Sequence, residues 1–356
     1  MVDRFRAGII GAGFIGGVHA HAVRAAGGLV AAVADHTPES TERAVGVLGA
    51  ERAAVSVEEL VHADDVDGVH ICTPNHTHAA LAEVVIAAGK PVICEKPLAT
   101  TVQDARRLTE LAQDADVVAC VPFVYRFYPA VREARARIAA GEAGPLWLLH
   151  GSYLQDWLAS AGATNWRVDP ALGGASRAFG DIGVHWCDLM EFVTGHRITR
   201  LAARMGLAFA NRAGTEDGAA VVFDTDQGAT GSVVVSQVSP GRKNRLWFSF
   251  DGPAASYSFD QELPDSLWVG GTAHNQVVMR GPDTFGEAAA GYARLPAGHP
   301  QGYQDSFTAF VSDVYAKVAG RKPDGLPTFA DGLRAAVLTQ AVVEAATEQT
   351  WVEVPA

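Results

Sequence analysis

The strongest constraint on the fold is a glycine-rich turn near the start of the chain, between an apolar run and a segment suited to a helix. Arg6–Ile10 is short and mostly apolar, and Gly11-Ala12-Gly13-Phe14-Ile15-Gly16 follows at once. The segment to Ala26 contains no proline, and Leu29–Ala34 is a second apolar run that ends at Asp35. Strand, Gly-x-Gly-x-x-Gly, helix, strand and acid is the order of a dinucleotide-binding unit.

Each residue of the turn has a physical role at such a site. Gly11 permits the tight turn that leaves the strand, and Gly13 lacks the Cβ atom that would block a pyrophosphate. Gly16 allows close packing of the helix. Phe14 and Ile15 begin that helix, whose free N–H groups and positive dipole end attract phosphate. These five residues are predicted cofactor contacts.

Asp35 favours NAD over NADP. It follows the glycines by about 20 residues, where a carboxylate accepts hydrogen bonds from the ribose hydroxyls. His36 comes next, with no Arg or Lys beside it to bind a 2′-phosphate, which the carboxylate would repel. The alternative for this segment is a flavodoxin-like sheet with a glycine-rich first turn.

The composition excludes several classes of partner. The formal net charge is −12 and no basic run occurs, which argues against nucleic-acid binding. No apolar stretch reaches the ~18 residues of a membrane span, and no charged-then-apolar leader precedes the first strand. Cys72, Cys94, Cys120 and Cys187 are scattered without a C-x-x-C pair. We therefore predict a reducing, cytoplasmic location.

A length of 356 residues predicts two domains. Strand and helix patterns alternate to about residue 122, which indicates a Rossmann-type α/β domain with a parallel sheet. Later runs alternate in β fashion between turns, which is typical of a mostly antiparallel sheet. These runs are Ile198–Met205, Ala219–Phe223, Ala229–Gln237, Leu246–Phe250, Ala255–Phe259 and Leu267–Val269. We predict a nucleotide domain at 1–122 and an α+β domain for substrate binding and oligomerisation at 123–356.

Several helices are predicted outside the turn region. Val45–Glu51 has a helical pattern, and Ala130–Ala140 is Arg-rich, with a polar face expected to point outward. Tyr303–Ala319 and Phe329–Glu348 finish the chain as two helices. The last helix can pack back on the first domain.

Two predicted strand ends of the first domain carry chemically useful side chains. Thr73-Pro74-Asn75 follows the strand Gly68–Cys72, where the nicotinamide half of a dinucleotide would lie. Glu95-Lys96-Pro97 follows the strand Pro91–Cys94, and the ammonium of Lys96 can polarise a hydroxyl or carbonyl there. Both segments have a plainer interpretation, Asn75 as a helix N-cap and Lys96 in a solvated ion pair with Glu95.

The densest chemical stretch of the second domain is Gly173–Gly195. If Asp181–Val193 is helical, Asp181 and His185 share one face, and Asp188 lies on the same side. An imidazole beside a carboxylate is suited to proton transfer near neutral pH. The alternative is a purely structural Asp–His pair.

The remaining histidines do not indicate a metal site. His19/His21 and His76/His78 are each two residues apart, which matches neither the H-E-x-x-H pattern nor a zinc finger. We predict no metal, and His19 is expected to pack within the first helix.

Together these segments resemble the Gfo/Idh/MocA oxidoreductases, which include sugar and inositol dehydrogenases. The matching residues are Gly11-Ala12-Gly13-Phe14-Ile15-Gly16, Thr73-Pro74-Asn75 with His78, Glu95-Lys96-Pro97, Tyr125-Arg126-Phe127 and Asp181-x-Gly183-x-His185-x-x-Asp188. They follow the family's order over most of the chain. The resemblance implies a Rossmann domain, then a domain whose open sheet forms homodimers or homotetramers.

The resemblance also implies roles for individual residues. Lys96 matches a lysine that contacts substrate and nicotinamide, and Asp181 and His185 match an Asp–His pair in which His185 accepts a proton. Asn165-Trp166-Arg167 is similar, more loosely, to a segment that reaches the nicotinamide carboxamide. The further predicted cofactor contacts are Asp35, Thr73, Pro74, Asn75, His78, Glu95, Lys96, Trp166 and Arg167. The predicted substrate contacts are Lys96, Tyr125, Arg126, Gln155, Asp156, Asn165, Asp181 and His185.

The expected reaction is NAD-dependent oxidation of a secondary ring hydroxyl of a sugar, anhydrosugar or cyclitol to a ketone. Lys96, Asp181 and His185 are the predicted catalytic residues. Three alternatives remain open. They are a glycosidase that retains NAD and oxidises its substrate transiently, a keto-sugar or imine reductase, and a non-catalytic sugar or dinucleotide sensor.

Overall fold

The glycine-rich turn joins strand β1 (Arg6–Ile10) to helix α1 (Phe14–Ala25) in the computed structural model, which describes residues 4–212 and 214–355. Gly11 has a φ of 97°, a left-handed conformation that favours glycine. A Cβ atom on Gly11 would lie 2.7 Å from the carbonyl oxygen of Cys72. A Cβ atom on Gly16 would overlap the carbonyl oxygen of Gly11. Both positions therefore require glycine for steric reasons.

A six-stranded parallel sheet follows from this turn, in the order β3-β2-β1-β4-β5-β6. Its other strands are β2 (Leu29–Ala34), β3 (Arg52–Ala53), β4 (Gly68–Ile71), β5 (Val92–Cys94) and β6 (Ala119–Cys120). The connecting helices are α2 (Pro38–Leu48), α3 (Val57–His62), α4 (His78–Ala87) and α5 (Val102–Asp114). Because β1, β4 and β5 are neighbours, the segments after them meet at one edge of the sheet. The prediction of a Rossmann-type sheet is confirmed.

The chain divides into two compact units. The first reaches to Val124 and also contains Tyr303–Ala336, whereas the second contains Tyr125–Gly302 and the chain from Val337. The predicted division, 1–122 and 123–356, differs because helix α10 (Tyr303–Val318) packs within the first unit. The ring of Tyr315 stacks on that of Phe5 with centroids 3.9 Å apart. Helix α11 (Phe329–Glu348) also begins in the first unit.

The second unit is built on a nine-stranded sheet of order β14-β13-β12-β11-β7-β10-β9-β8-β15. Its strands are β7 (Leu148–Leu154), β8 (Ile198–Gly206), β9 (Gly218–Thr225), β10 (Thr230–Ser236), β11 (Arg245–Asp251), β12 (Ser256–Asp260), β13 (Ser266–Gly270), β14 (Gln276–Met279) and β15 (Val352–Glu353). All neighbours are antiparallel except β7 and β10. The predicted mostly antiparallel sheet is confirmed.

One face of this sheet carries the hydrophobic core of the second unit. The helices of this unit, apart from α11, are α6 (Pro129–Ala139), α7 (Pro170–Gly173), α8 (Val184–Thr194) and α9 (Glu287–Ala290). Trp186 of α8 lies against Phe223 and Phe250, and its indole N–H donates to the carbonyl of Trp247 at 2.9 Å. The buried indole thus has a hydrogen-bond partner, as a core tryptophan needs. Within the described ranges no helix is long and apolar enough to cross a membrane.

Two sequence predictions about helices are wrong. Helix α2 begins at Pro38 rather than near Val45, because Thr37 caps it by accepting from the Ser40 N–H at 3.1 Å. Helix α6 does not turn all its charges outward, since Arg132 and Glu133 are buried.

Bonded charges and an aromatic ring explain that burial. The guanidinium of Arg132 lies 4.1 Å from the ring centre of Tyr292, and its Nε donates to the Arg126 carbonyl at 2.7 Å. Glu133 accepts from the N–H of Gly286 at 2.8 Å.

Adjacent glycines of α1 provide a stability test. Gly16→Ala is expected to lower the free energy of unfolding by about 1–3 kcal/mol, because its methyl group would overlap a backbone oxygen. Gly17→Ala is the matched control, since no described atom lies within 4 Å of its ideal Cβ. That variant is expected to gain about 0.5–1 kcal/mol from better helix propensity. Urea unfolding without nucleotide measures both, and equal effects would contradict the close packing at Gly16.

Candidate active site

The edge of the parallel sheet beyond β1 has the shape and polarity of a phosphate-binding turn. No described atom lies within 4 Å of an ideal Cβ on Gly13, so the space beside its backbone is open. Gly13 is also the N-cap of α1 and has no side chain to satisfy the first N–H groups of the helix. Phe14 and Ile15 begin α1, and the side chain of Phe14 is 86% exposed. These features fit a dinucleotide pyrophosphate.

Asp35 lies directly after β2, at the same edge of the sheet. Its Oδ1 accepts from the His36 N–H at 2.9 Å and lies 3.1 Å from His36 Nδ1. The backbone N–H of Asp35 donates to Thr41 Oγ1 at 2.9 Å, which fixes the turn into α2. A partly exposed carboxylate held in this way is suited to accept bonds from ribose hydroxyls.

His78 connects the two loops that follow β4 and β5. It is buried, with Nε2 2.8 Å from the Thr73 carbonyl oxygen and Nδ1 2.7 Å from the Pro97 carbonyl oxygen. Burial lowers the pKa of His78, although both carbonyls oppose that shift. Both ring nitrogens of His78 therefore face backbone carbonyls, and its contact with the cofactor stays a prediction.

The loop after β4 does not behave as a simple helix N-terminus. Asn75 begins a short turn, Asn75–Thr77, and the N-cap of α4 is Thr77. Thr77 Oγ1 donates to Thr73 Oγ1 at 2.6 Å. Asn75 thus lies two residues before the N-cap position of α4, in a turn that leads directly into that helix.

Glu95 lies buried beside Lys96 and forms one end of a chain of polar groups. Its Oε2 accepts from the backbone N–H of Lys96 at 3.1 Å, and its Oε1 lies 3.1 Å from His19 Nε2. His19 Nδ1 lies 2.8 Å from His70 Nδ1, and His70 Nε2 lies 3.2 Å from the Tyr315 hydroxyl. Glu95 is therefore not a solvated partner of Lys96. Its hydrogen bonds support the Lys96 loop, and its contact with the cofactor stays a prediction.

The charge of Glu95 follows from these contacts. Burial, the largest single influence, would raise the pKa of Glu95, but the hydrogen bond from His19 and the charges of His19, Lys96 and His78 together outweigh it and the pKa is lowered. Burial lowers the pKa of His70 well below its usual value, so His70 is neutral near pH 7. Glu95 is therefore an ionised, buried carboxylate beside the backbone of Lys96.

In the second unit, Asp181 lies in a π-helical turn, Phe179–Gly183, rather than in one continuous α-helix as predicted. A Cβ atom on Gly183 would overlap the ring of Phe179, so this close turn requires glycine. Asp181 Oδ2 accepts from Gln237 Nε2 at 2.7 Å, and Oδ1 lies 3.5 Å from Arg167 Nε. Such π-turns occur frequently at functional sites.

His185 lies in the first turn of α8, beside aromatic and amide side chains. Its ring centre is 5.2 Å from that of Tyr125 and 6.4 Å from that of Tyr153. The two tyrosine hydroxyls are hydrogen-bonded to each other, and Tyr153 donates to Asn244 Oδ1 at 2.7 Å. Gln155 Nε2 donates to the same oxygen at 2.7 Å. Burial raises the pKa of Tyr125, which therefore stays protonated near pH 7.

Two predicted substrate contacts have other partners. Arg126 Nε donates to Asp188 Oδ2 at 2.9 Å, and a second N–H bonds the other carboxylate oxygen. Asp156 accepts from Lys243 Nζ at 2.6 Å, which lowers the pKa of Asp156. These ion pairs engage the charged groups of Arg126 and Asp156, whose contacts with the substrate stay predictions.

The Asn165-Trp166-Arg167 segment is ordered by its own side chains. Asn165 Oδ1 accepts from the Arg167 N–H at 3.1 Å, and the Arg167 guanidinium lies 4.3 Å from the ring centre of Trp166. The segment thereby presents Arg167 to Asp181 within the second unit.

Asn244 and Gln237 were not among the residues predicted from the sequence. Asn244 lies in a polar segment without a motif, so no sequence signal identifies it. Val233, Val235 and Gln237 are alternate residues on the buried face of the sheet. A polar residue at such an inward position could have been noticed in the sequence. Among the described residues, no group of three or more His, Cys, Asp or Glu side chains is arranged to bind a metal ion.

Both parts of the chain match models of one family. Residues 5–123 match the oxidoreductase family with an NAD-binding Rossmann fold, and residues 131–258 match the GFO/IDH/MocA C-terminal domain. Levoglucosan dehydrogenase of Pseudarthrobacter phenanthrenivorans is 30% identical over 99% of both chains. Inositol 2-dehydrogenase of Rhizobium meliloti is 28% identical over 98% of this chain and 99% of its own.

Solved structures agree with the sequence comparisons. Levoglucosan dehydrogenase in complex with NADH and L-sorbose matches with a TM-score of 0.92 and 29% identity, over 99% of this chain and 100% of that one. The open turn at Gly13 and the carboxylate of Asp35 fit the same cofactor, NAD. The chain belongs to the Gfo/Idh/MocA family of NAD-dependent oxidoreductases.

Proposed function

We propose that the enzyme oxidises a secondary ring hydroxyl of a sugar, anhydrosugar or cyclitol to a ketone. The observation that carries the proposal is the grouping of His185 with the hydroxyls of Tyr125 and Tyr153 and the amide of Asn244. Several donors and acceptors beside one imidazole suit a substrate with many hydroxyls. Two relatives are named for levoglucosan and inositol, both rich in ring hydroxyls, which supports this substrate class.

In this proposal three side chains act on the reacting hydroxyl. His185 accepts its proton, and Asp181 orients the imidazole and stabilises its charged form. Lys96 stabilises the alkoxide that develops as the C–H bond breaks. NAD⁺, which the Gly11–Gly16 turn and Asp35 would hold, would supply the acceptor for the hydride. A positioned general base of this kind typically contributes about 10²–10⁴-fold to the rate.

The substrate contacts are proposed from the same cluster. Tyr125, Gln155 and Asn165 keep their proposed contacts, and Tyr153 and Asn244 join them because their polar atoms lie in the hydrogen-bonded group. Trp166 and Arg167 are proposed to contact the carboxamide of the cofactor. Their mutual stacking supports this role, because it fixes the planar groups before a ligand binds.

A substrate panel tests the proposal directly. Wild-type enzyme with NAD⁺ is incubated with aldoses, anhydrosugars, inositols and glycosides, and NADH formation is followed by absorbance. NMR of the product then identifies the oxidised carbon. NADH formation with a polyol is expected. Hydrolysis of a glycoside without net NADH would instead identify the redox-assisted glycosidase, and binding without turnover would identify a sensor.

We also propose that the enzyme is a homodimer or homotetramer formed through the open face of the nine-stranded sheet. Val222 of β9 and Val234 of β10 are 45% and 50% exposed on this face. They pair with Ser232 and Ala220, so small or apolar side chains cover adjacent strands. Such a patch favours association of proteins. The four free, buried cysteines support a reducing, cytoplasmic location.

Replacement of Lys96 tests the alkoxide role. Lys96→Ala is expected to lower kcat by about 10²–10⁴-fold, because a cation that stabilises developing charge is lost. NADH binding, measured by fluorescence titration, is expected to remain nearly unchanged. Lys322→Ala, which removes an exposed lysine of the same unit, is the control. Wild-type turnover in Lys96→Ala would remove Lys96 from the mechanism.

Asp35 is expected to determine cofactor choice. Asp35→Ser should lower kcat/KM for NAD⁺ by about 10–100-fold, because charged hydrogen bonds to the ribose are worth about 1.5–3 kcal/mol. The ratio of NADP⁺ to NAD⁺ activity should rise. Glu39→Ser removes an exposed carboxylate from the first turn of α2 and should leave that ratio unchanged. The same change of ratio in both variants would indicate a general charge effect.

The oligomer is tested on the open sheet face. The double variant Val222→Lys/Val234→Lys is expected to dissociate the assembly, because it places like charges where the copies would meet. Light scattering during size-exclusion chromatography measures the mass. Val47→Lys, at an exposed valine of the first unit, is the control. A monomeric wild-type enzyme, or an unchanged mass of the double variant, would contradict this interface.

A further inference from the structure

The side chain of Gln237 is fully buried, at 0% exposure, directly after β10. Its Nε2 donates to Asp181 Oδ2 at 2.7 Å. Its Oε1 is buried without a hydrogen-bond partner among the described residues. A buried acceptor without a partner is costly, and an apolar side chain would avoid that cost. The amide is thus better explained by its bond to Asp181 than by packing.

The chemistry of the contact fixes the orientation of the amide. An ionised carboxylate can only accept hydrogen bonds, so the NH₂ group of Gln237 must face Asp181. The opposite orientation would bring two oxygen atoms together at 2.7 Å. The bond therefore occupies Oδ2 of Asp181 and leaves Oδ1 on the side of Arg167.

The backbone of Gln237 is held by the strand pair that it leaves. Its N–H donates to the Asp217 carbonyl at 3.0 Å, at the start of β9. Asp217 is buried and ion-paired with Arg177, and it accepts from the N–H of Ala208 at 2.8 Å. The backbone that carries the Gln237 amide is thus hydrogen-bonded to a buried, ion-paired residue.

Glu216, the residue before Asp217, also fixes the chain that leads into the π-turn. Glu216 Oε1 accepts from Ser176 Oγ at 2.7 Å and from the Phe179 N–H at 2.9 Å. Glu216 Oε2 accepts from the Arg177 N–H at 3.0 Å. One carboxylate therefore binds three donors just before Asp181. Glu216 and Asp217, just before β9, therefore fix both the backbone that leads to Asp181 and, through Gln237, its side chain.

We propose that Gln237 is a positioning residue, which holds the carboxylate of Asp181 in the orientation needed for proton transfer through His185. The inference rests on the proposed function, in which Asp181 and His185 act together. Gln237 is not a catalytic residue, because it acts through Asp181. The titratable groups near Asp181 include Arg167 from the preceding loop and Tyr125, and the ring of Tyr125 in turn contacts His185.

A double-mutant cycle separates this role from a structural one. Gln237→Leu, nearly the same size, is expected to lower kcat by about 10–100-fold with little change in KM or NADH binding. The same change in an Asp181→Asn background should lower kcat by less than about threefold, because the carboxylate is already absent. Equal factors in both backgrounds, or no loss in the single variant, would overturn the proposal.

Gln237→Glu gives a pH signature that a packing defect would not produce. Two facing carboxyl groups share one proton, so the pKa of the pair rises. Below that pKa the shared proton restores the hydrogen bond, whereas above it two anions repel each other. The kcat of the variant relative to wild type is therefore expected to fall as pH rises. A ratio that is independent of pH would contradict the contact.

Two further measurements keep the result interpretable. Gln227→Leu is the matched control. Gln227 lies in the β9–β10 turn, and its exposed amide donates to the Gly195 carbonyl. This variant is expected to leave kcat unchanged. Carboxyl NMR of Asp-labelled protein, with the Asp181 signal assigned from Asp181→Asn, needs no substrate. The titration midpoint of Asp181 is expected to rise in Gln237→Leu. An unchanged midpoint would refute the inference, whereas a failed substrate panel would refute only the proposed function.

Discussion

Buried carboxylates that accept hydrogen bonds from several donors fix the chain beside proposed catalytic residues in both compact units. Glu95 binds the backbone of Lys96 and the ring of His19, so the lysine loop is tied to helix α1. Glu216 binds three donors ahead of Asp181. An ionised carboxylate accepts short, strong bonds in fixed directions, whereas removal from water costs free energy unless those bonds are complete. The side chains that we propose to act on the substrate, Lys96 and Asp181, are therefore held in place by neighbouring buried acids.

The local features of the fold were predictable because they arise from short segments. The turn from Gly11 to Gly16 needs glycine at two steric contacts, and the spacing to Asp35 follows from one helix and one strand. The Asp181–His185 segment was found from its residue types, but not its π-turn. That turn depends on the ring of Phe179 lying against Gly183, which spacing alone does not reveal.

The features that were not predictable depend on contacts between distant parts of the chain. Arg132 looks like an outward charge in sequence, yet Tyr292 lies on its guanidinium and makes burial tolerable. Arg126 was predicted to contact the substrate, and in the structure its guanidinium donates to the carboxylate of Asp188. In each case the partner is many residues away, and periodicity carries no information about it. Gln237 is the exception, because a polar side chain at an inward strand position is visible in the sequence.

The position of α10 has a consequence for how the protein is made. Phe5 stacks on Tyr315, and His70 contacts the same phenol, so the first unit joins residues that lie far apart in the sequence. During synthesis the parallel sheet emerges first, followed by eight strands of the nine-stranded sheet, β7 to β14, and α10 and β15 come later. The second unit can therefore begin to fold on the ribosome while one surface of the nucleotide-binding unit is still uncovered. Folding of the first unit is therefore completed after most of the second unit has been translated, although its glycine turn is translated earlier.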